Sequence, residues 1–177
     1  ASPDYLKLLG RDPGQEELEK IHRAAVIWTR GVIDRWRQQH GYSQKNFPVL
    51  LVADIGPRGD GYKTDNENIT SDGFRDYHSH QLNAIKSVGG VDLVCAYTIT
   101  SVEEAIGIAQ ASSDVGLPVV ISVTVETDGK LPDGSEIRHL VEETDRRTEL
   151  EERALPLFYM VNCAHPTHIN PAFEKAK

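Results

Sequence analysis

The residue best placed to do chemistry is Cys163 in residues 157–166, LFYMVNCAHP, where a short apolar run stops at the small polar pair Asn162 and Cys163. A buried parallel strand reads as a continuous apolar run, and in α/β folds chemistry sits just beyond the carboxyl ends of the strands. A thiolate there is useful as a nucleophile or a metal ligand. One residue deeper it would be core, because unpaired cysteine is among the most buried residue types. His165 and His168 follow at a spacing open to a local chelate with Cys163, although Pro166 restricts the loop and no carboxylate lies close by.

Hydroxyls recur at the ends of two other apolar runs. Thr98 and Thr100 follow VDLVCAY, while Ser122 and Thr124 lie in LPVVISVTV. Strand residues two apart share a face, so Ser122 and Thr124 point together, either toward a ligand or as satisfied strand hydroxyls. Thr98, Ser122, Thr124 and Asn162 are thus the candidate substrate-facing residues. Residues 55–62, IGPRGDGY, put three glycines and a proline after another apolar run. That composition marks either an ordinary tight turn or one whose backbone amides approach a ligand. It has neither the lysine and hydroxyl of a phosphate-binding loop nor the spacing of a dinucleotide fingerprint.

The elements that must position these groups alternate. Residues 2–10 suit a short helical turn stopped by Gly10. Leu18, Ile21, Ala25, Trp28, Val32 and Trp36 then recur at helical steps over residues 15–40, predicting an amphipathic helix with one aromatic-rich face. Buried strands are expected at residues 48–54, 91–97, 117–125 and from about 156. Helices capped by Ser71, Ser101 and Ser135 separate them. Ser101 and Glu104 fit a capping box, which makes Glu103 and Glu104 partners of the helix dipole and not acid catalysts. Cys95 lies inside a strand and reads as core, and His78 and His80, two apart on a helix, read as surface or packing residues.

Strict alternation demands a parallel sheet covered by helices. It admits a small doubly wound sheet or half of an eight-stranded barrel, and polar residues at every strand end favour one shared mouth and so the half barrel. The chain has 177 residues, 19 Lys plus Arg against 27 Asp plus Glu, and a formal net charge of −8. That balance argues against nucleic acid or an anionic membrane as partner. No apolar run approaches a membrane span and no basic-then-apolar leader is present. Two distant cysteines argue for reduced thiols, so a cytoplasmic protein is expected. The start at Ala1 and the helix beginning near Lys177 read as cut ends.

Together, IGPRGDGY, YTITSVEEAIGIA, LPVVISVTVETDGKLPDG and MVNCAHP, in this order and spacing, resemble the homocysteine S-methyltransferase family. The resemblance covers residues 1–177 and implies the central portion of one (βα)8 TIM-type barrel domain, about strands 3 to 6. It further implies zinc-dependent methyl transfer from a donor such as a sulfonium to homocysteine, giving methionine. Cys163 matches the family's VNC cysteine, one of three thiolate ligands of the zinc. The other two, an adjacent cysteine pair, do not occur here, and neither does the first-strand DGG segment, so this fragment alone is expected to be inactive. Zinc coordination deprotonates a thiol that is mostly protonated near neutral pH, making its sulfur nucleophilic. Many members carry a glutamate next to the threonine after the fourth strand, where this chain has Ala96-Tyr97-Thr98, and Asp54 stands where a small residue is common. A non-catalytic partner or regulatory protein retaining part of the barrel is the alternative. Either way, a half barrel leaves strand edges open, so a homo-oligomer is expected.

Overall fold

The computed structural model describes residues 2–11, 14–61 and 68–174. Two helices come first, α1 (Pro3–Leu8) and α2 (Gln15–His40). Strands and helices then alternate as β1 (Val52–Ile55), α3 (Ser71–Val88), β2 (Leu93–Ile99), α4 (Val102–Val115), β3 (Val119–Val123), α5 (Ile137–Leu150), β4 (Tyr159–Val161) and α6 (Pro166–Glu174). The four strands form one sheet in the order β1-β2-β3-β4, and every neighbouring pair is parallel. A doubly wound sheet reverses its strand order partway. This one does not, so the sheet is a segment of a barrel wall.

Alternation along each strand sorts its side chains. Ile55, Val94, Ala96, Val119, Ile121 and Val123 join Leu82, Ile85, Ile106 and Leu140 in one core between sheet and helices. The intervening residues, Asp54, Cys95, Val120, Ser122 and Met160, therefore face the other way, toward what would be the inside of a closed barrel. Strand pairing carries this assignment across the sheet: Asp54 is level with Cys95, Cys95 with Val120, and Ser122 with Met160.

Helices α3 and α4 lie against each other at a place where no side chain fits. A Cβ on Gly107 would fall 2.6 Å from Phe74 Cβ and 2.7 Å from the Ser71 carbonyl oxygen. Gly107 thus lets two backbones meet.

Several elements differ from expectation at their ends. Strand β1 begins at Val52, well after the apolar run starts at Pro48. Ser71 is the first residue of α3 and not its cap; its N–H donates to Glu103 Oε2 at 2.7 Å, and its hydroxyl accepts from Arg147 Nη2 at 2.5 Å. Helix α5 starts at Ile137 behind Glu136, without the cap expected from Ser135. The aromatic face of α2 forms but stays outside the core, with Trp28 70% exposed. Only Leu18, with Ile21 beside it, packs inward against Leu6 and Ala84, while Trp36 stacks on His40 and Tyr42.

A candidate active site at the carboxyl mouth of the sheet

The carboxyl ends of β2, β3 and β4 converge on Asn162. Its backbone N–H donates to the Val123 carbonyl at 2.9 Å, extending the β3–β4 ladder by one bond. The side chain then reaches both neighbouring strands. Asn162 Oδ1 accepts from the Thr98 backbone N–H at 3.0 Å and from the Ser122 hydroxyl at 2.7 Å. Asn162 Nδ2 donates to Thr98 Oγ1 at 2.8 Å and to Cys163 Sγ at 3.1 Å. Thr98 Oγ1 also lies 3.8 Å from that sulfur.

Two of these residues have left-handed backbones, unusual for residues with a Cβ. Thr98 has φ 61° and Cys163 φ 53°. At Thr98 this accompanies a break in the β2–β3 register between Ala96 and Ile99, which re-aims the side chain at the mouth. The left-handed turn at Cys163 ends the strand and leaves the thiol exposed. Strained conformations of this kind persist where surrounding contacts over-determine them.

The structure thus brings together Thr98, Ser122, Asn162 and Cys163. Thr124, the remaining strand-end candidate, is buried next to them, its N–H on the Ile99 carbonyl at 3.3 Å, and takes no part in the Asn162 network. The local chelate does not form. His165 Nδ1 lies 2.8 Å from Thr167 Oγ1, and among the described residues no three His, Cys, Asp or Glu side chains gather around one point. The residues present fit a metal as the source of one sulfur ligand.

Cys95 occupies the opposite environment. It is 2% exposed, and burial pushes its thiol pKa up, a rise that the Tyr97 hydroxyl partly offsets by donating to the sulfur. Core is the right reading for this cysteine. Burial also raises the carboxyl of Asp54, level with Cys95 on the adjoining strand.

Sequence reasoning missed what lies behind the mouth. Glu104 stands in the first turn of α4 as expected, but it is fully buried, with Oε1 2.9 Å from Nε2 of the equally buried His78. The same oxygen accepts the Arg58 N–H at 2.6 Å. Half of the capping box does hold, since Ser101 Oγ accepts from the Glu104 N–H at 3.3 Å. The glycine-rich turn after β1 is therefore anchored to α3 and α4, and at its far end Gly61 lies against Thr98, leaving 3.1 Å between a Cβ built there and Thr98 Cγ2. The described part of IGPRGDGY ends at Gly61, and Tyr62 lies outside it.

A parallel βα wall with an exposed thiol at its carboxyl rim defines a barrel enzyme class whose site is built from strand ends. The homocysteine S-methyltransferase family model matches residues 3–177, and the chain belongs to that family. No curated protein matches the chain. Among solved structures it resembles the homocysteine methyltransferase MmuM from Escherichia coli. Against the metallated form the TM-score is 0.78 at 17% identity, covering 99% of this chain and 59% of that one. Against the apo form it is 0.70 at 16% identity, covering 92% and 56%. The chain thus spans less than two thirds of either structure, and at such identities the likeness is one of fold: four parallel strands of a TIM-type barrel.

Proposed function

We propose that the intact protein transfers a methyl group from a donor such as a sulfonium to homocysteine, giving methionine, in a zinc-dependent reaction located in the cytoplasm. The observation that carries this reading is the exposed Cys163 thiol at the carboxyl rim of a parallel barrel segment whose whole length matches the homocysteine S-methyltransferase family. Cys163 would supply one sulfur ligand, and two further cysteine ligands would come from outside this chain. Zinc, when bound, provides the positive charge that keeps a thiol deprotonated near neutral pH.

The chain's own residues do the rest of the local work. Thr98, Ser122, Thr124 and Asn162 stand at the rim where the small-molecule substrates would enter, and Ser122, fully buried, ties β3 to β4 there through Asn162. Leu93, Val120 and Met160 on the barrel-facing side supply an apolar wall, which strengthens electrostatic interactions by excluding water.

The test is zinc content and methyl transfer in the full-length protein. Wild type should bind zinc and methylate homocysteine, and Cys163→Ala should lose both. Equal zinc in the two proteins would remove Cys163 from the metal site. A zinc-loaded protein inert toward homocysteine with several sulfonium donors would point to the non-catalytic alternative.

A further inference from the structure

Asn162 has two donor hydrogens and one acceptor oxygen with two lone pairs on its side chain. All four are engaged by the protein itself: Thr98 N–H and Ser122 Oγ at Oδ1, Thr98 Oγ1 and Cys163 Sγ at Nδ2. The Thr98 backbone N–H can only donate, so it fixes which end of the amide is oxygen. Nδ2 is then necessarily the end turned to the sulfur. Nothing is left on this side chain for a substrate to bind.

We propose that Asn162 is a positioning residue for the Cys163 sulfur: it aims the sulfur at the mouth with an N–H donor and is not a substrate contact. The inference rests on the reading of Cys163 as a zinc ligand. Three features make the arrangement directional. First, Asn162 is bonded to β2 through both Thr98 groups and to β3 through Ser122, so its amide cannot rotate without breaking bonds to two strands. Second, the residues on either side of its contacts, Thr98 and Cys163, both hold left-handed backbones, and Asn162 is bonded to each. Third, the sulfur meets a second donor, the Thr98 hydroxyl, whose oxygen itself accepts from Asn162. Partners of metal ligands fix ligand orientation, and their loss typically weakens metal affinity by about 10- to 100-fold.

Asn162→Asp separates the roles. The carboxylate keeps the shape and can still accept from Thr98 N–H and Ser122 Oγ, but it cannot donate to Cys163 and turns an acceptor toward the sulfur. In the full-length protein, zinc affinity measured by competition with a chromophoric chelator should fall by about tenfold or more. At saturating zinc, the KM for homocysteine should stay within about twofold of wild type. Thr98→Val, which removes the hydroxyl shared by Asn162 and the sulfur, should also weaken zinc and serves as the reading if Asn162→Asp does not fold. The melting temperature of the zinc-free variant distinguishes a general loss of structure from a loss of aim: it should change little while the affinity falls. Wild-type zinc affinity in both variants would overturn the inference, as would a homocysteine KM raised tenfold in Asn162→Asp with zinc unchanged, which would make Asn162 a substrate ligand. A wild-type protein that binds no zinc would overturn the reading of Cys163 itself.

Discussion

Cys95 and Cys163 carry the same functional group in opposite surroundings, and that contrast is measurable. Cys163 is exposed on a left-handed turn, while Cys95 lies under the sheet's barrel face with its thiol pKa raised from an ordinary value of 9.0 by burial. The thiolate is the reactive species. In the zinc-free protein, iodoacetamide should alkylate Cys163 quickly and leave Cys95 untouched at pH 8 until the fold is opened with denaturant; mass spectrometry of the two peptides reads this directly. Modification of Cys95 at a comparable rate under native conditions would contradict its placement. The sequence distinguished these cysteines by one step of register, since Cys95 is flanked by apolar residues on both sides and Cys163 only on one. What no pattern revealed is the saturation of Asn162, because its four partner groups come from β2, β3 and the turn after β4 and meet only once the sheet is assembled.

Helix pairs behind the sheet carry two further expectations. Gly107→Ala should cost about 1–3 kcal/mol in unfolding free energy, the usual range for overpacking, because the added methyl meets backbone atoms of α3 and not a flexible side-chain end. Chemical denaturation would show it as a lowered midpoint with little change in slope. Glu104→Leu should also destabilise, by about 1–3 kcal/mol, since the fully buried His78 Nε2 loses its partner and the half-buried Arg58 N–H loses its acceptor. Glu104→Gln, which retains an acceptor oxygen, should cost less. Both effects were hidden in the sequence for the same reason. VEEA satisfies a helix-start pattern with either glutamate at the surface, and only the approach of α3 to α4 decides which one is enclosed. A third tie joins the sheet's first edge to α2: Asp92 accepts from Leu51 N–H at 2.6 Å and from Arg30 at 2.7 Å. These bonds, the Leu51 N–H foremost, hold the Asp92 carboxyl below its ordinary 3.8. A depressed carboxyl pKa means that the unfolded state binds the proton first on acidification, so the stabilisation is complete above 3.8 and fades as pH falls through the lower native value. The stability difference between wild type and Asp92→Asn should therefore be largest near neutral pH and shrink below pH 4; a difference that widens with acid would refute the assignment.

At the level of the molecule, the parallel direction was legible from alternation alone; strand order was not, and polar strand ends favoured the barrel wall over a doubly wound sheet, in line with the monotonic order of the strands. The aromatic ridge of α2 was legible as a helix face but not as an exposed one, because amphipathic spacing records that a surface is apolar and not what covers it. The same holds for the sheet. Val52 is 39%, Phe158 52% and Met160 37% exposed on or beside the two outer strands. Open strand edges with apolar side chains favour association. The 177-residue chain by itself should therefore sediment as concentration-dependent dimers or larger species at micromolar concentration, and a strictly monomeric profile there would count against an open barrel wall.

The two left-handed residues at the rim have a consequence for how this protein would respond to selection in the laboratory. Each such backbone costs about 1–3 kcal/mol outside glycine, so a library screened only for heat resistance should enrich Thr98→Gly and Cys163→Gly. Clones carrying them would be hardier proteins with blunted chemistry, and the positions where survival and activity part company would trace the outline of the working surface without any substrate in hand.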